Sequence, residues 1–259
     1  MKLLMFGDVV GESGTRSFQK HAPRIRREYN ADLIVVNGEN SASGNGITEA
    51  SAQQLFSAGA DVITTGNHCF RRRCDHIFSD PRILRPANFP GEAPGSGVYI
   101  LDCGRFSLAV INLMGTAFME PLDNPFSVID SLLEKIETPN ILVDFHAEAT
   151  AEKRAMGWYL CGKVSAVIGT HTHVQTADDE ILNGKTGYLT DAGMNGAERS
   201  VLGVRVEQAV EKQRFHRPVQ FQEAECPCMV NAVFLEIDSK TGICTKIERI
   251  FLRESTILH

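Results

Sequence analysis

An α/β fold is predicted for this chain by three observations. Short runs rich in Val, Ile, Leu and Phe recur up to residue 169. Helical or loop stretches separate them, and most runs end at Gly, Asp, Asn or Pro, the residues that punctuate strands.

The expected strands are KLLMFG (2–7), DLIVVNG (32–38), DVITTG (61–66), YILD (99–102), SLAVINL (107–113), NILVDF (140–145) and VSAVIG (164–169). Residues 13–30 have helical spacing, with Phe18, Ala22, Ile25 and Tyr29 on one face and Arg and Lys on the other. Residues 48–59 open at Thr48, a suitable N-cap, and close at Gly59, which makes a second helix. Pro125–Glu137 and Ala149–Leu160 read as two more. Near the C-terminus MVNAVFLEI (229–237) and CTKIERIFLR (244–253) flank Asp238–Gly242 as a hairpin. Residues 205–226 are polar, helix-like to Phe215 and loop-like around Pro218. With no repeat, low-complexity tract or Ser/Pro-rich linker, residues 1–259 read as one continuous domain.

Composition excludes several classes. The chain is 43% apolar and 22% charged, the balance of a globular protein with a sizeable core. No run approaches the ~18 apolar residues of a membrane span, and Asp8 interrupts the first run too early for a secretory leader. Seven cysteines, an odd number, fit reduced thiols in the cytoplasm. A net charge of −6 argues against a protein that coats nucleic acid, so no stable nucleic-acid complex is expected.

The residues that carry chemistry stand at or just past the ends of the apolar runs. Asp8 comes after LLMFG, Glu39 and Asn40 after LIVVNG, Asn67 and His68 after VITTG, His146 after ILVDF, and His171 and His173 after AVIGT. Carboxyl ends of strands are where loops converge and ligands bind in open α/β sheets. Each residue alone has a structural reading as a turn former, helix cap or core histidine. Such residues at five equivalent strand ends point instead to one cluster of oxygen and nitrogen metal donors. A set without thiolate suits Fe, Mn or Zn.

The ordered set GDVVG (7–11), NGEN (37–40), TGNH (65–68), DFHAE (144–148), GTHTHVQT (169–176) and TDAGMNG (190–196) resembles the YmdB-like branch of the calcineurin-type metallophosphoesterases. That resemblance implies a four-layer α/β/β/α sandwich and a dinuclear centre of two divalent ions, iron first, with manganese or zinc as alternatives. It also implies phosphodiesterase activity on small nucleotides, 2′,3′- or 3′,5′-cyclic. By the same resemblance Asp8, Glu39, Asn40 and His173 would hold one ion. Glu39, Asn67, His146 and His171 would hold the other, with Glu39 bridging. A metal-bridging hydroxide would attack phosphorus, and His68 would act as proton donor rather than ligand. A homo-oligomer is a further implication.

Departures from the pattern bear on this expectation. Val10 stands where the wider superfamily has a ligand His, and Glu39 where it bridges with Asp. Cys69-Phe70-Arg71 replaces the aromatic and acidic residues that the branch carries after Gly-Asn-His, which bears on His68 and on no ligand. Gly7–Gly14 and Gly184-Lys185-Thr186 lack nucleotide-loop spacing and read as turns. Arg71, Arg72 and Arg73 read as a solvated helix start, or as a phosphate clamp in the sharper reading. Cys226-Pro227-Cys228 and Cys69…Cys74 read as structural. Glu148 could orient a ligand histidine, and Asp191 and Asn195 shape the loop over the site. Two rivals remain: a regulatory nucleotide- or partner-binding protein whose metals serve fold and recognition, and a capsule-biosynthesis-type protein, which the expected lack of a membrane anchor disfavours.

Overall fold

The computed structural model describes residues 1–257. Two mixed sheets lie face to face. The first contains β1 (Lys2–Phe6), β2 (Asp8–Val9), β3 (Leu33–Asn37), β4 (Val62–Thr64), β11 (Met194–Ala197), β12 (Cys228–Ile237) and β13 (Cys244–Arg253). The second runs β5-β6-β7-β8-β10-β9, from β5 (Val98–Asp102), β6 (Ser107–Met114), β7 (Ile141–His146), β8 (Ala166–Thr170), β9 (Glu180–Leu182) and β10 (Thr186–Leu189). β1, β3 and β4 are parallel, as are β6, β7, β8 and β10. The C-terminal β12–β13 pair is antiparallel, as its turn residues imply.

The side-chain period of two assigns each strand residue to a layer. On β1 and β3, Leu3, Met5, Leu33 and Val35 enter the core between the sheets, where they meet Leu108, Val110, Leu142, Ala166 and Ile168. Leu4, Phe6, Ile34 and Val36 point the other way, against α1 (Gly11–Tyr29) and α2 (Glu49–Ser57). Phe6 meets Phe18 of α1 edge-on, with ring centroids 5.0 Å apart. On the opposite outer face Val143, Phe145 and Tyr188 pack with Ile129 of α3 (Pro125–Leu133) and Met156 of α4 (Thr150–Tyr159). These three apolar cores separate four layers, the α/β/β/α sandwich expected from the sequence.

Differences from the sequence reading are local. Thr48 caps α2, with a reciprocal bond from Ser51 that completes a capping box. α1 starts at Gly11, ahead of the helical spacing, because its cap comes from elsewhere. Val10 has no capping side chain; instead the Glu223 carboxylate accepts from the amides of Glu12 and Ser13 at 3.1 and 2.7 Å. The polar segment after residue 205 forms α5 (Val206–Phe215), and α6 (Glu254–Ile257) follows β13. No described helix is long and apolar enough to cross a membrane.

Candidate metal centre

The carboxyl ends of five strands, from both sheets, meet at one edge of the sandwich. Asp8 follows β1 after a single glycine; Glu39 and Asn40 follow β3; Asn67 and His68 follow β4. His146 is the last residue of β7, and His171 and His173 lie just beyond β8. Donor atoms of Glu39, His146 and His171 lie within 4.8 Å of one another, as do those of Asp8, Glu39 and His173. Glu39 is common to both groups.

Each histidine has one ring nitrogen committed elsewhere, which fixes the other toward the centre. Thr170 donates its hydroxyl to Asp144 Oδ1 at 2.6 Å, so its oxygen accepts from His146 Nδ1 at 2.9 Å. The free Nε2 of His146 then faces Asn67 Oδ1 at 3.0 Å, His171 Nδ1 at 3.1 Å and Glu39 Oε2 at 3.3 Å. His171 Nε2 pairs with Glu148 Oε2 at 3.1 Å, the orienting role proposed for Glu148 from sequence. His173 Nδ1 donates to the Leu202 carbonyl at 3.2 Å, which leaves Nε2 3.8 Å from Asp8 Oδ1. Nitrogen and oxygen atoms able to bind a cation thus converge on one another.

The backbone is bent to reach this arrangement. His171 and His173 have φ of 98° and 65°, a region that non-glycine residues rarely occupy. These angles turn both imidazoles of His-Thr-His toward one point. The bend is held by bonds on both sides. The His171 amide donates to Asp8 Oδ2 at 3.1 Å, and the Thr172 amide and hydroxyl donate to Asp191 Oδ2 at 3.0 and 2.7 Å. Gly66 must lack a side chain, because a Cβ there would lie 2.2 Å from His146 and 2.5 Å from Glu39.

Electrostatics reinforce the geometry. Burial pushes the His146 imidazole down, but the Glu39 carboxylate, helped by Asp8 and Asp144, outweighs it and lifts the group to about 9, so the carboxylates draw a positive charge to Nε2 that a proton or a cation can supply. Burial and the neighbouring His146 hold His171 down at about 3, so it is a neutral donor. Burial raises the Asp8 carboxyl against the pull of His173 and His146. Asp8 Oδ1 is buried and has no hydrogen-bond partner among the described residues. An orphaned carboxylate oxygen beside converging imidazole lone pairs fits a bound cation.

His68 and Asn40 form a separate pair. The His68 Nδ1 donates to Asn40 Oδ1 at 2.9 Å, and the Asn40 amide donates to Glu39 Oε1 at 2.7 Å. The amide oxygen of Asn40, the atom a metal would need, is therefore directed at His68. Asp191 lies behind the site and takes a bond from Lys153 at 2.6 Å, a residue that sequence reasoning passed over. Asn195 donates to the Gly7 carbonyl at 2.9 Å and so steadies the segment before Asp8. Arg72 donates to the carbonyls of Ser43 and Asn45, and Arg71, Arg72 and Arg73 do not line the cleft over the centre. All seven cysteines are free.

Comparison with known proteins gives a consistent picture. The family model described as YmdB-like protein matches residues 4–250. The chain is 43% identical over 258 residues, 98% of both chains, to a Bacillus subtilis protein named 2′,3′-cyclic-nucleotide 2′-phosphodiesterase. It superposes on the crystal structure of a Mycoplasma pneumoniae phosphatase with a TM-score of 0.94 at 31% identity, covering 100% of this chain and 96% of that one. The NAD nucleotidase of Haemophilus influenzae shares the fold at a TM-score of 0.58 and 12% identity, over 98% of this chain and 56% of that one.

Proposed function

The chain belongs to the YmdB-like family, and we propose that it is a metal-dependent phosphodiesterase acting on small nucleotide phosphodiesters, 2′,3′- or 3′,5′-cyclic. The observation that carries this reading is the convergence of His146 Nε2, His171 Nδ1 and His173 Nε2 on Glu39 and the orphaned Asp8 Oδ1. The name of the Bacillus relative supports the substrate class.

Asp8, Glu39, Asn40 and His173 would hold one divalent cation, and Glu39, Asn67, His146 and His171 the other, with Glu39 shared. Iron is the first choice and manganese or zinc the alternatives, since carboxylate, amide and imidazole donors suit all three. When bound, such a pair neutralises charge on a phosphoryl group and makes a water acidic enough to ionise near neutral pH. Asn40 has a second task, since its Oδ1 also accepts from His68 Nδ1.

The remaining steps belong to this chain's own residues. Asn40 Oδ1 holds the His68 Nδ1–H and fixes the ring, so Nε2 is the atom that delivers a proton to the departing sugar oxygen. Glu148, Thr170 and the Leu202 carbonyl keep the three other imidazoles from rotating. The cleft above them, about 390 Å³, admits a mononucleotide-sized ligand. The free thiols support a reducing, cytoplasmic setting.

The test is hydrolysis of 2′,3′-cyclic AMP by protein purified without chelator, with metals counted by elemental analysis. Turnover with two metals per chain is expected. Two metals with no turnover on either cyclic isomer would overturn the phosphodiesterase reading.

A further inference from the structure

We propose that the apolar wall formed by Val201, Leu202, Val204 and Phe221 receives the base of a mononucleotide whose phosphate lies at the histidines. This inference rests on the phosphodiesterase reading and extends it to the part of the substrate that does not react.

The cleft over the centre is amphipathic. Its lining combines Glu39, Asn40, His68, His171 and His173 with Val201, Leu202, Val204 and Phe221, and the two groups meet where His173 bonds the Leu202 carbonyl. Phe221 and Leu202 are 49% and 46% exposed and both line this cleft, with Phe221 standing on the rim it shares with the neighbouring cavity beside Arg205 and Glu223. Val206, Val210 and Phe215 on α5 are exposed as well, but they do not line this cavity. A nucleotide has the same mixed character, with a charged phosphate at one end and a ring with an apolar face at the other. Aromatic and branched side chains bind bases by stacking, which tolerates any base because every base has a π face.

The wall is built rather than draped. Val201 and Val204 exchange backbone hydrogen bonds at 3.0 and 3.1 Å, which closes a tight loop with Leu202 at a φ of 56°. The segment carrying Phe221 is tied to that loop by the Arg205 amide on the Gln222 carbonyl at 3.0 Å and the Ala224 amide on the Gly203 carbonyl at 3.0 Å. Gln222 is further held by its amide donating to Gln208 Oε1 at 2.7 Å. Glu223, next in the chain, is anchored on the first turn of α1. Phe221 therefore sits beside a doubly fastened neighbour. The loop also joins the metal centre directly, since the Leu202 carbonyl accepts from His173 Nδ1. One residue thus orients a donor histidine through its backbone and presents its side chain to the apolar part of the cleft. A ligand held by the centre extends onto this wall without any rearrangement of the loop.

The test compares Phe221→Ala with the parent on two substrates that share a five-membered cyclic phosphodiester, 2′,3′-cyclic AMP and glycerol 1,2-cyclic phosphate, which lacks a base. For the nucleotide, KM should rise roughly 10- to 100-fold with kcat little changed, the signature of lost binding shared by ground and transition states. For the glycerol ester neither constant should move. Phe221→Trp should restore the nucleotide KM. Calorimetry should show weaker binding of adenosine 3′-phosphate to Phe221→Ala and unchanged binding of inorganic phosphate. An equal effect on both substrates, no effect on either, or altered sedimentation of the variant, which would place the wall between copies of the chain, overturns the proposal. If the parent cleaves neither ester nor 3′,5′-cyclic AMP, the phosphodiesterase reading falls, and the two calorimetric affinities alone decide the wall.

Discussion

Lys153 Nζ and Asp191 Oδ2 meet at 2.6 Å in the interior, with the side chains 1% and 0% exposed. The same Asp191 oxygen accepts from the amide and hydroxyl of Thr172, the residue between the two bent histidines. Asp191 Oδ1 accepts from the Gly193 amide at 2.8 Å. A lysine on α4 thus fixes the carboxylate that fixes the His-Thr-His turn.

Lys153→Met keeps most of the length of the side chain, one atom short, and removes its charge. It leaves a buried carboxylate without its counter-ion, which costs about 3–5 kcal/mol and lowers Tm by on the order of 10 °C. The strained turn should relax, so metal content should fall at temperatures where the variant is still folded. Thermal unfolding with elemental analysis checks both, and a variant with full metal content and parental Tm would refute the coupling.

Glu39→Ala removes the side chain common to both donor groups. Loss of at least one metal per chain is expected, together with activity, while the apolar cores leave the fold intact. Two tightly held metals in the variant, counted after desalting, would show that Glu39 does not bridge.

Much of this was legible in the sequence, for a physical reason. The strands and helices follow from apolar runs, their stacking into four layers from the family resemblance, and the polar residues of the site follow the runs directly, so a local pattern reports them. β11 was not legible, because Met-Asn-Gly-Ala has no β-branched or aromatic residue and is a strand only through its pairing with β2 and β12. β9 and β10 were announced by Asn183-Gly184 between two apolar segments, a hairpin signal that reads as a bare turn when only nucleotide motifs are sought. The supports of the site were invisible for a different reason. Thr170, Lys153 and the Leu202 carbonyl act on partners distant in sequence or through backbone atoms, and no spacing rule reports such contacts.

Two thiols should be inert in the folded protein. Burial pushes Cys228 and Cys244 up to about 11 each, so almost no thiolate exists at neutral pH. Iodoacetamide followed by mass spectrometry should leave both unmodified until denaturant is added. Dithiothreitol should leave the fold unchanged, since no thiol is paired. Loss of structure on reduction would show that disulfides matter after all.

Glu254 ties the C-terminal end of β13 to α1. Its carboxylate accepts from the Cys228 amide at 2.9 Å and meets His21 Nε2 at 2.9 Å and Lys20 Nζ at 3.3 Å. Burial opposes its ionised form, but the Cys228 amide, His21 and Lys20 outweigh burial and hold the carboxyl below its usual value. A depressed folded-state value stabilises the fold above the unfolded value of ~4.3 and loses that contribution as pH falls through the folded one. Glu254→Gln should therefore be less stable than the parent at neutral pH, and the gap should close on acidification below ~4. Urea titrations at several pH values measure it; a gap constant with pH would refute the ionic account.

His68 is the residue on which the chemistry most depends, and its pairing with Asn40 separates two roles. A ligand would need an unprotonated nitrogen facing Glu39 and Asp8, whereas Nδ1, 3.4 Å from Glu39 Oε1, gives its proton to Asn40 Oδ1 at 2.9 Å. His68→Ala should therefore keep both metals and the parental Tm. The rate constant on a ribose phosphodiester should fall by ~10²–10⁴, the usual contribution of a general acid. On a p-nitrophenyl ester the loss should be far smaller, because that leaving group departs with little protonation. Substrate affinity should change little, since the proton transfer acts in the transition state. Asn40→Ala should share that leaving-group dependence, because the ring is then free to rotate, and should hold the first cation more weakly. If His68→Ala loses a metal and slows both substrates equally, His68 is a ligand. If Asn40→Ala loses a metal while its leaving-group dependence stays parental, its amide oxygen serves the cation rather than the imidazole.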